Sequence, residues 1–256
     1  MDVQEITIRS ALVRSRIPGV EYVINPYLGC GHGCRYCYAV FMTKHSRHHA
    51  GAAWGSFVEA KTNIAAILRD ELRRKRKTAT AMLSSVCDPY QPAERRYKLT
   101  RACLEALRDF GWGMEILTRS PLVLRDLDIL QSGSRVSVGF SVPTDDDRVR
   151  RVTEPNAPPI GSRIATLRRL KEAGIPTWAF IAPMLPMNPE RLAELLAPVI
   201  DSVMMSGLNY VGRVAGLFRR LGWASALTRG YAREMRERLG RSLDAKMLHA
   251  APPEEG

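Results

Sequence analysis

No run of 18 or more apolar residues occurs in this chain of 256 residues, so the sequence offers no membrane-spanning helix. The first residues, Met1-Asp2-Val3-Gln4-Glu5, lack the basic start and apolar stretch of a signal peptide. Cysteine is scarce. There are five, three of them crowded together, which does not make a disulfide framework and fits a reducing cytoplasm. No internal repeat, low-complexity linker or second apolar core is visible, so one large domain with an appendage is expected. Acidic residues are the minority charge, 26 against 38 Lys and Arg, for a net charge of +12. That excess suits a polyanion, a nucleotide or an acidic substrate, and arginine on solvated helix faces produces it equally well. No general acid–base pair stands out.

The most informative stretch is Cys30-Gly31-His32-Gly33-Cys34-Arg35-Tyr36-Cys37. Its spacing is C-x3-C-x2-C, with an aromatic residue just before the last cysteine. Three thiolates on a tight loop can hold three irons of a [4Fe–4S] cube. The other two cysteines, Cys87 and Cys103, are far along the chain, so one iron stays open for a small molecule. Gly29, Gly31 and Gly33 let the backbone wrap closely and release amides toward sulfur. A zinc knuckle using His32 would want two paired ligand sets, and a ferredoxin-like site would want a fourth cysteine.

The chain alternates between short apolar runs and helical patterns. Strands are expected at 22–24, 81–86, 114–117, 136–142, 177–182 and 203–205. Helices are expected at 61–77, 94–110, 122–131, 162–173 and 189–200, with Ser120-Pro121 and Asn188 as N-terminal caps. Such alternation implies parallel βαβ units. From Asn209 to Arg241 the pattern is helical and basic. The expected division is a barrel over 1–206, a helical extension packed on it over 207–250, and a disordered tail over 251–256.

Five further blocks stand in order around the cysteine loop: Asn25-Pro26-Tyr27-Leu28-Gly29-Cys30, Lys61-Thr62-Asn63, Asp88-Pro89-Tyr90-Gln91-Pro92-Ala93-Glu94, Leu117-Thr118-Arg119-Ser120 and Glu154-Pro155-Asn156-Ala157-Pro158. With that loop, they resemble the radical S-adenosylmethionine (SAM) enzymes, and within them the spore photoproduct lyase-like branch. The resemblance covers about residues 15–190. It implies an α/β fold, a partial (β/α)6 barrel of TIM type, with function at the carboxyl ends of the strands. It implies a [4Fe–4S] cluster on Cys30, Cys34 and Cys37, with SAM on the open iron. Asp88 and Gln91 are then expected near the cofactor's amino group. Arg119, where this branch usually has lysine, is expected at its carboxylate, with Lys61 next in line. Ser141 is expected at the ribose, Ala182 and Met184 at the adenine, and Tyr36 against the adenine face. An external one-electron donor of flavodoxin or ferredoxin type is implied, together with a substrate that yields hydrogen to a 5′-deoxyadenosyl radical.

Cys87 is a candidate hydrogen donor to a product radical, since a thiol S–H bond is weak; as a small buried filler it would need no such role. Cys103 reads as core. His45, His48 and His49 read as a basic, flexible lip, or as a second metal site. Asp145-Asp146-Asp147 reads as a solvated loop on the substrate rim. For function, modification of a small metabolite or peptide is favoured. The alternatives are DNA lesion repair, with the basic helices on phosphates, and a non-catalytic iron–sulfur redox or sensor protein.

Overall fold

The computed structural model describes residues 1–248. In chain order its strands are β1 (Asp2–Ile6), β2 (Val13–Arg14), β3 (Tyr22–Ile24), β4 (Tyr27–Leu28) and β5 (Phe57–Lys61). They continue with β6 (Thr80–Leu83), β7 (Gly113–Thr118), β8 (Val136–Ser141), β9 (Thr177–Ile181) and β10 (Ser202–Met205). The α-helices are α1 (Ile64–Arg73), α2 (Glu94–Tyr97), α3 (Leu99–Asp109), α4 (Leu127–Ser132) and α5 (Asp147–Thr153). After them come α6 (Ile160–Glu172), α7 (Pro189–Leu196), α8 (Val211–Arg220) and α9 (Arg229–Ser242).

Six strands lie side by side in the order β10-β9-β8-β7-β6-β3, every neighbouring pair parallel, with β2 antiparallel on the outer edge of β3. This is the expected six-stranded partial barrel. Its strands enclose one face through Met114, Ile116, Val138, Phe140, Ala179 and Ile181, and bury Met82, Ser141 and Trp178 on the other, as parallel strands covered by crossover helices do. Helix α1 turns Ile64, Leu68 and Leu72 inward at i, i+4 and i+8, and α3 does the same with Leu99, Cys103, Leu104 and Leu107. Cys103 is core, as expected. Asn188 accepts from the Arg191 amide at 3.0 Å and Ser120 from the Leu122 amide at 3.3 Å, so both expected caps are present.

The boundaries differ in instructive places. The second barrel strand stops at Leu83 rather than 86, because Ser84 takes a left-handed φ of 65° that no strand continues. Cys87 thus sits in a loop, four residues past the strand. The helix expected over 94–110 is broken at Lys98, left-handed at φ 52°, into α2 and α3. Lys61 closes a strand instead of opening a helix. That strand, β5, pairs with β1 and β4 in a separate three-stranded sheet that the sequence reading lacked. The acidic run is tied to its surroundings instead of being left free in solvent. Asp145 accepts from the Asn188 amide, Asp146 caps α5, and Asp147 accepts from Arg150 and from the Ile160 amide. Nor is His49 part of a flexible lip: it is buried, stacked on Phe57 at 4.7 Å, with Nε2 2.9 Å from Asp2. The expected tail at 251–256 lies outside the described residues.

Past β10, α8 lays Val214 and Phe218 onto Cys34, Tyr36, Val149 and Leu185. Helix α9 buries Met235 and Leu239 in the main core and meets α7, where Arg238 pairs with Glu190.

Candidate functional site

The cysteine loop leaves β4 at the carboxyl side of the barrel strands. Gly29, at φ +85°, lets the chain turn against Phe57, whose carbonyl oxygen would stand 2.5 Å from any Cβ added there. Gly33 meets Gly55 backbone to backbone; a Cβ on Gly55 would lie 2.7 Å from the Gly33 Cα. Both contacts require glycine.

Side chains from remote parts of the chain fasten this loop through its own backbone. Gln91 accepts from the Gly31 amide at 2.8 Å and donates to the Gly29 carbonyl at 3.1 Å. Asn156 donates to the Gly31 carbonyl at 3.1 Å. His32 is buried with Nε2 3.3 Å from Asp88. Asp88 also accepts from Thr118 at 2.6 Å and from the Tyr90 and Arg119 amides at 2.9 and 2.8 Å. Burial alone would raise the Asp88 carboxyl, but His32, Thr118 and Arg119 bring it down to about 2. Asp88 and Gln91, expected near a cofactor amino group, stand beside the cysteine loop, and their side chains brace it.

Of the three loop cysteines, Cys30 and Cys34 are buried and Cys37 half-buried, and none is in a disulfide. Burial pushes the Cys30 and Cys37 thiols up, and that of Cys34 up to about 12. The His32 amide draws the Cys30 thiol partway back down, and the Ala39 amide and Trp54 indole do the same for Cys37. Thiols enclosed in this way, with amides that favour the thiolate, form a donor set for a metal that draws the protons off. Among the described residues no three His, Cys, Asp or Glu side chains are gathered tightly enough to hold a single metal ion.

Beside the loop lies a buried polar constellation. Glu154 is fully enclosed and accepts from Arg119 Nε at 2.8 Å, from Arg163 Nη2 at 2.5 Å and from the Tyr36 hydroxyl. Burial would raise the Glu154 carboxyl; the two arginines instead hold it at about 2. Arg163, also fully enclosed, donates to the carbonyls of Ser141 and Pro158. The structure therefore brings Tyr36, Arg119 and Ser141 together. Ala182 and Met184 follow β9 and are buried, with the Met184 amide donating to the Ser206 carbonyl at 3.1 Å. Lys61 is turned to the Asn25 carbonyl at 2.8 Å. Cys87 is half-buried with its Sγ 3.1 Å from the Ser84 hydroxyl and 3.5 Å from the Tyr27 carbonyl, and burial pushes its thiol up to about 11. Sequence reasoning missed Arg163, and named His32 and Glu154 only within their motifs, without the partners the structure gives them. The block Glu154–Pro158 was the available signal for Glu154.

The Radical SAM superfamily profile matches residues 24–198. The chain belongs to the radical SAM superfamily. The family's two cofactors are a [4Fe–4S] cluster and SAM. An uncharacterized protein of Methanocaldococcus jannaschii is 37% identical over 186 residues, covering 73% of this radical SAM chain and 69% of its own. A spore photoproduct lyase variant with bound AdoMet and dinucleoside spore photoproduct superposes with a TM-score of 0.60 at 16% identity, over 92% of this chain and 66% of that one. Streptococcus suis SuiB bound to S-adenosylmethionine gives 0.52 at 17%, over 79% and 46%. The solved structures share the radical SAM fold. The chain spans about two thirds of the lyase's length and under half of SuiB's. Among the described residues no helix is long and apolar enough to cross a membrane.

Proposed function

We propose that Cys30, Cys34 and Cys37 hold a [4Fe–4S] cluster and that the protein is an enzyme acting on a small metabolite or peptide by hydrogen abstraction. The observation that carries this reading is the convergence of three unpaired cysteines, two buried and one half-buried, with Arg119 and Tyr36 at the carboxyl ends of parallel strands. A cluster held by these cysteines, with SAM beside it, would supply the one-electron chemistry by which hydrogen is taken from a substrate. The rest falls to this chain's own side chains. Arg119 meets the SAM carboxylate; it is the least enclosed member of its constellation, its side chain 18% exposed, and a guanidinium grips a carboxylate well. Ser141 is at the ribose, Ala182 and Met184 at the adenine, and Tyr36 at the adenine face. The apolar side of α8 keeps water from the cysteine loop, which protects a radical from stray hydrogen sources.

Cys87 is assigned as hydrogen donor. Its raised pKa keeps it a thiol, the state that has a hydrogen atom to give. The S–H bond breaks, a C–H bond forms on the product, and the thiyl left on Sγ takes one electron from the external donor and one proton from solvent. DNA lesion repair is the second reading, favoured by the fold shared with spore photoproduct lyase and by the net charge of +12. A non-catalytic iron–sulfur sensor is third, and it leaves Arg119 and Cys87 without a role.

Anaerobic reconstitution, then dithionite-driven SAM cleavage with candidate metabolites, peptides and irradiated DNA, is the test. About four irons per chain and deuterium passing from substrate into 5′-deoxyadenosine are expected. Cluster loading without SAM cleavage would leave the sensor reading standing. Cys87→Ala should keep 5′-deoxyadenosine formation but lose solvent deuterium from the product. Unchanged labelling would remove the donor role.

A further inference from the structure

Glu154 stands where three elements meet, and its bonds are unevenly divided. One oxygen takes Arg119 Nε from the end of β7 and the Tyr36 hydroxyl from the cysteine loop; the other takes Arg163 Nη2 from α6. Arg163 carries the chain on to β8 through the Ser141 carbonyl at 2.8 Å and is anchored by Nε and Nη2 to the Pro158 carbonyl at 3.0 and 2.8 Å. Arg119 Nη2 closes the ring on the Tyr36 hydroxyl at 3.3 Å. The group thus holds one carboxylate against two guanidinium ions. Glu154 and Arg163 are fully enclosed, so the surplus positive charge lies at its more open member, Arg119.

Because Glu154 engages Nε, the Arg119 plane is fixed by the edge nearest its own backbone. No hydrogen bond from Nη1 to a described residue competes for that end. A planar guanidinium bonded at Nε has one orientation, whereas an untethered one sweeps through several rotamers and loses entropy on binding.

We propose that Glu154 is a positioning residue for SAM: it orients Arg119 toward the cofactor carboxylate and, through Arg163 and Tyr36, keeps Arg119, Tyr36 and Ser141 in mutual register. This rests on the assignment of Arg119 to the carboxylate. It gives a sign that simple charge does not. If Glu154 were only a counter-ion, its neutral replacement would add net positive charge beside Arg119 and tighten the hold on a carboxylate. If it positions Arg119, the same replacement weakens that hold.

The experiment is calorimetric titration of SAM into the anaerobically reconstituted protein, with iron content and thermal melting measured on each sample. Glu154→Gln is expected to weaken SAM about tenfold or more with iron content preserved. Tyr36→Phe, which changes no charge and keeps the ring, is expected to weaken it by a smaller factor, and less than additively with Arg119→Ala because both act through one guanidinium. Unchanged or tighter binding by Glu154→Gln, while Arg119→Ala still weakens it, would overturn the positioning role and leave the carboxylate assignment intact. Unchanged binding by Arg119→Ala would instead overturn that assignment. If Glu154→Gln does not fold, the Tyr36→Phe and Arg119→Ala pair decides, and strict additivity between them overturns the proposal.

Discussion

The cysteine loop and the C-terminal helices touch each other, yet they are held by opposite means. The loop is fixed through its backbone. Gln91 and Asn156 bond the Gly31 amide and the Gly29 and Gly31 carbonyls, and Asp88 steadies the adjoining His32. Helix α8 is held by Val214 and Phe218 in an apolar seam, and α9 adds charge pairs at its surface such as Arg238 with Glu190. Directional bonds fix atoms to fractions of an ångström and cost several kcal/mol when stranded without partners. Apolar contact covers area without fixing orientation. The first arrangement suits ligands to a metal group, the second a cover over it.

Four changes would sharpen or break that contrast. The largest effect is expected from Gly55→Ala, which drives a Cβ into the Gly33 backbone at a φ of +98°. Cluster loading should be lost, as read by iron content and visible absorbance; full loading would show the loop to be far more pliant than its contacts imply. Next is acid. Asp88 and Glu154 have folded-state values of about 2, below the roughly 4 of an unfolded carboxyl. Their stabilisation is therefore complete above about pH 5 and lost as the pH falls from there through 2. At about 1.4 kcal/mol per unit, a few kcal/mol should vanish over that window in urea unfolding of the cluster-free protein, and the loss should be smaller in Glu154→Gln. A flat profile would mean the polar network contributes little. Phe218→Ala empties a fully buried aromatic site and should cost about 3–5 kcal/mol, read as faster oxygen bleaching of the cluster with barrel secondary structure kept. Equal bleaching rates would deny α8 its covering role. Smallest of all, Arg238→Ala removes a half-buried, two-pronged pair with Glu190 and should lower stability by at most about 1 kcal/mol with bleaching unchanged; a larger loss would mean directional bonds hold the extension too.

What the sequence made legible follows the same division. The three cysteines are legible because metal ligation by a short loop needs fixed spacing, and the six barrel strands because their apolar runs serve burial on both faces. Lys98 was not legible: a lysine in the left-handed region leaves no mark in an otherwise helical pattern. Strand β5 was hidden by Glu59, a buried charge that interrupts its apolar run and accepts from Ser46. The pairing of Glu154 with Arg163 was hidden for the same reason. A charged side chain is ordinarily solvated, and only the fold pairs these two with each other and with Arg119. Asp88 and Gln91 were found as members of the site, but their geometry ties them to the protein, which no spacing rule conveys.

The ties on the cysteine loop also order events in time. Gly31 is bound by residues 60 and 125 positions further on, and Tyr36 by one 118 positions away. During synthesis from the N-terminus, Cys30, Cys34 and Cys37 emerge long before Asp88, Glu154 and Arg163. For that interval three thiols stand on an unbraced segment open to oxidants and stray metal ions. A productive acceptor for iron and sulfide exists only once α6 has been made and contacts of such long sequence separation have closed. These ties predict that cluster insertion follows barrel assembly instead of guiding it, so that iron and sulfide added to a chain still unfolded in urea should not be retained as a cluster.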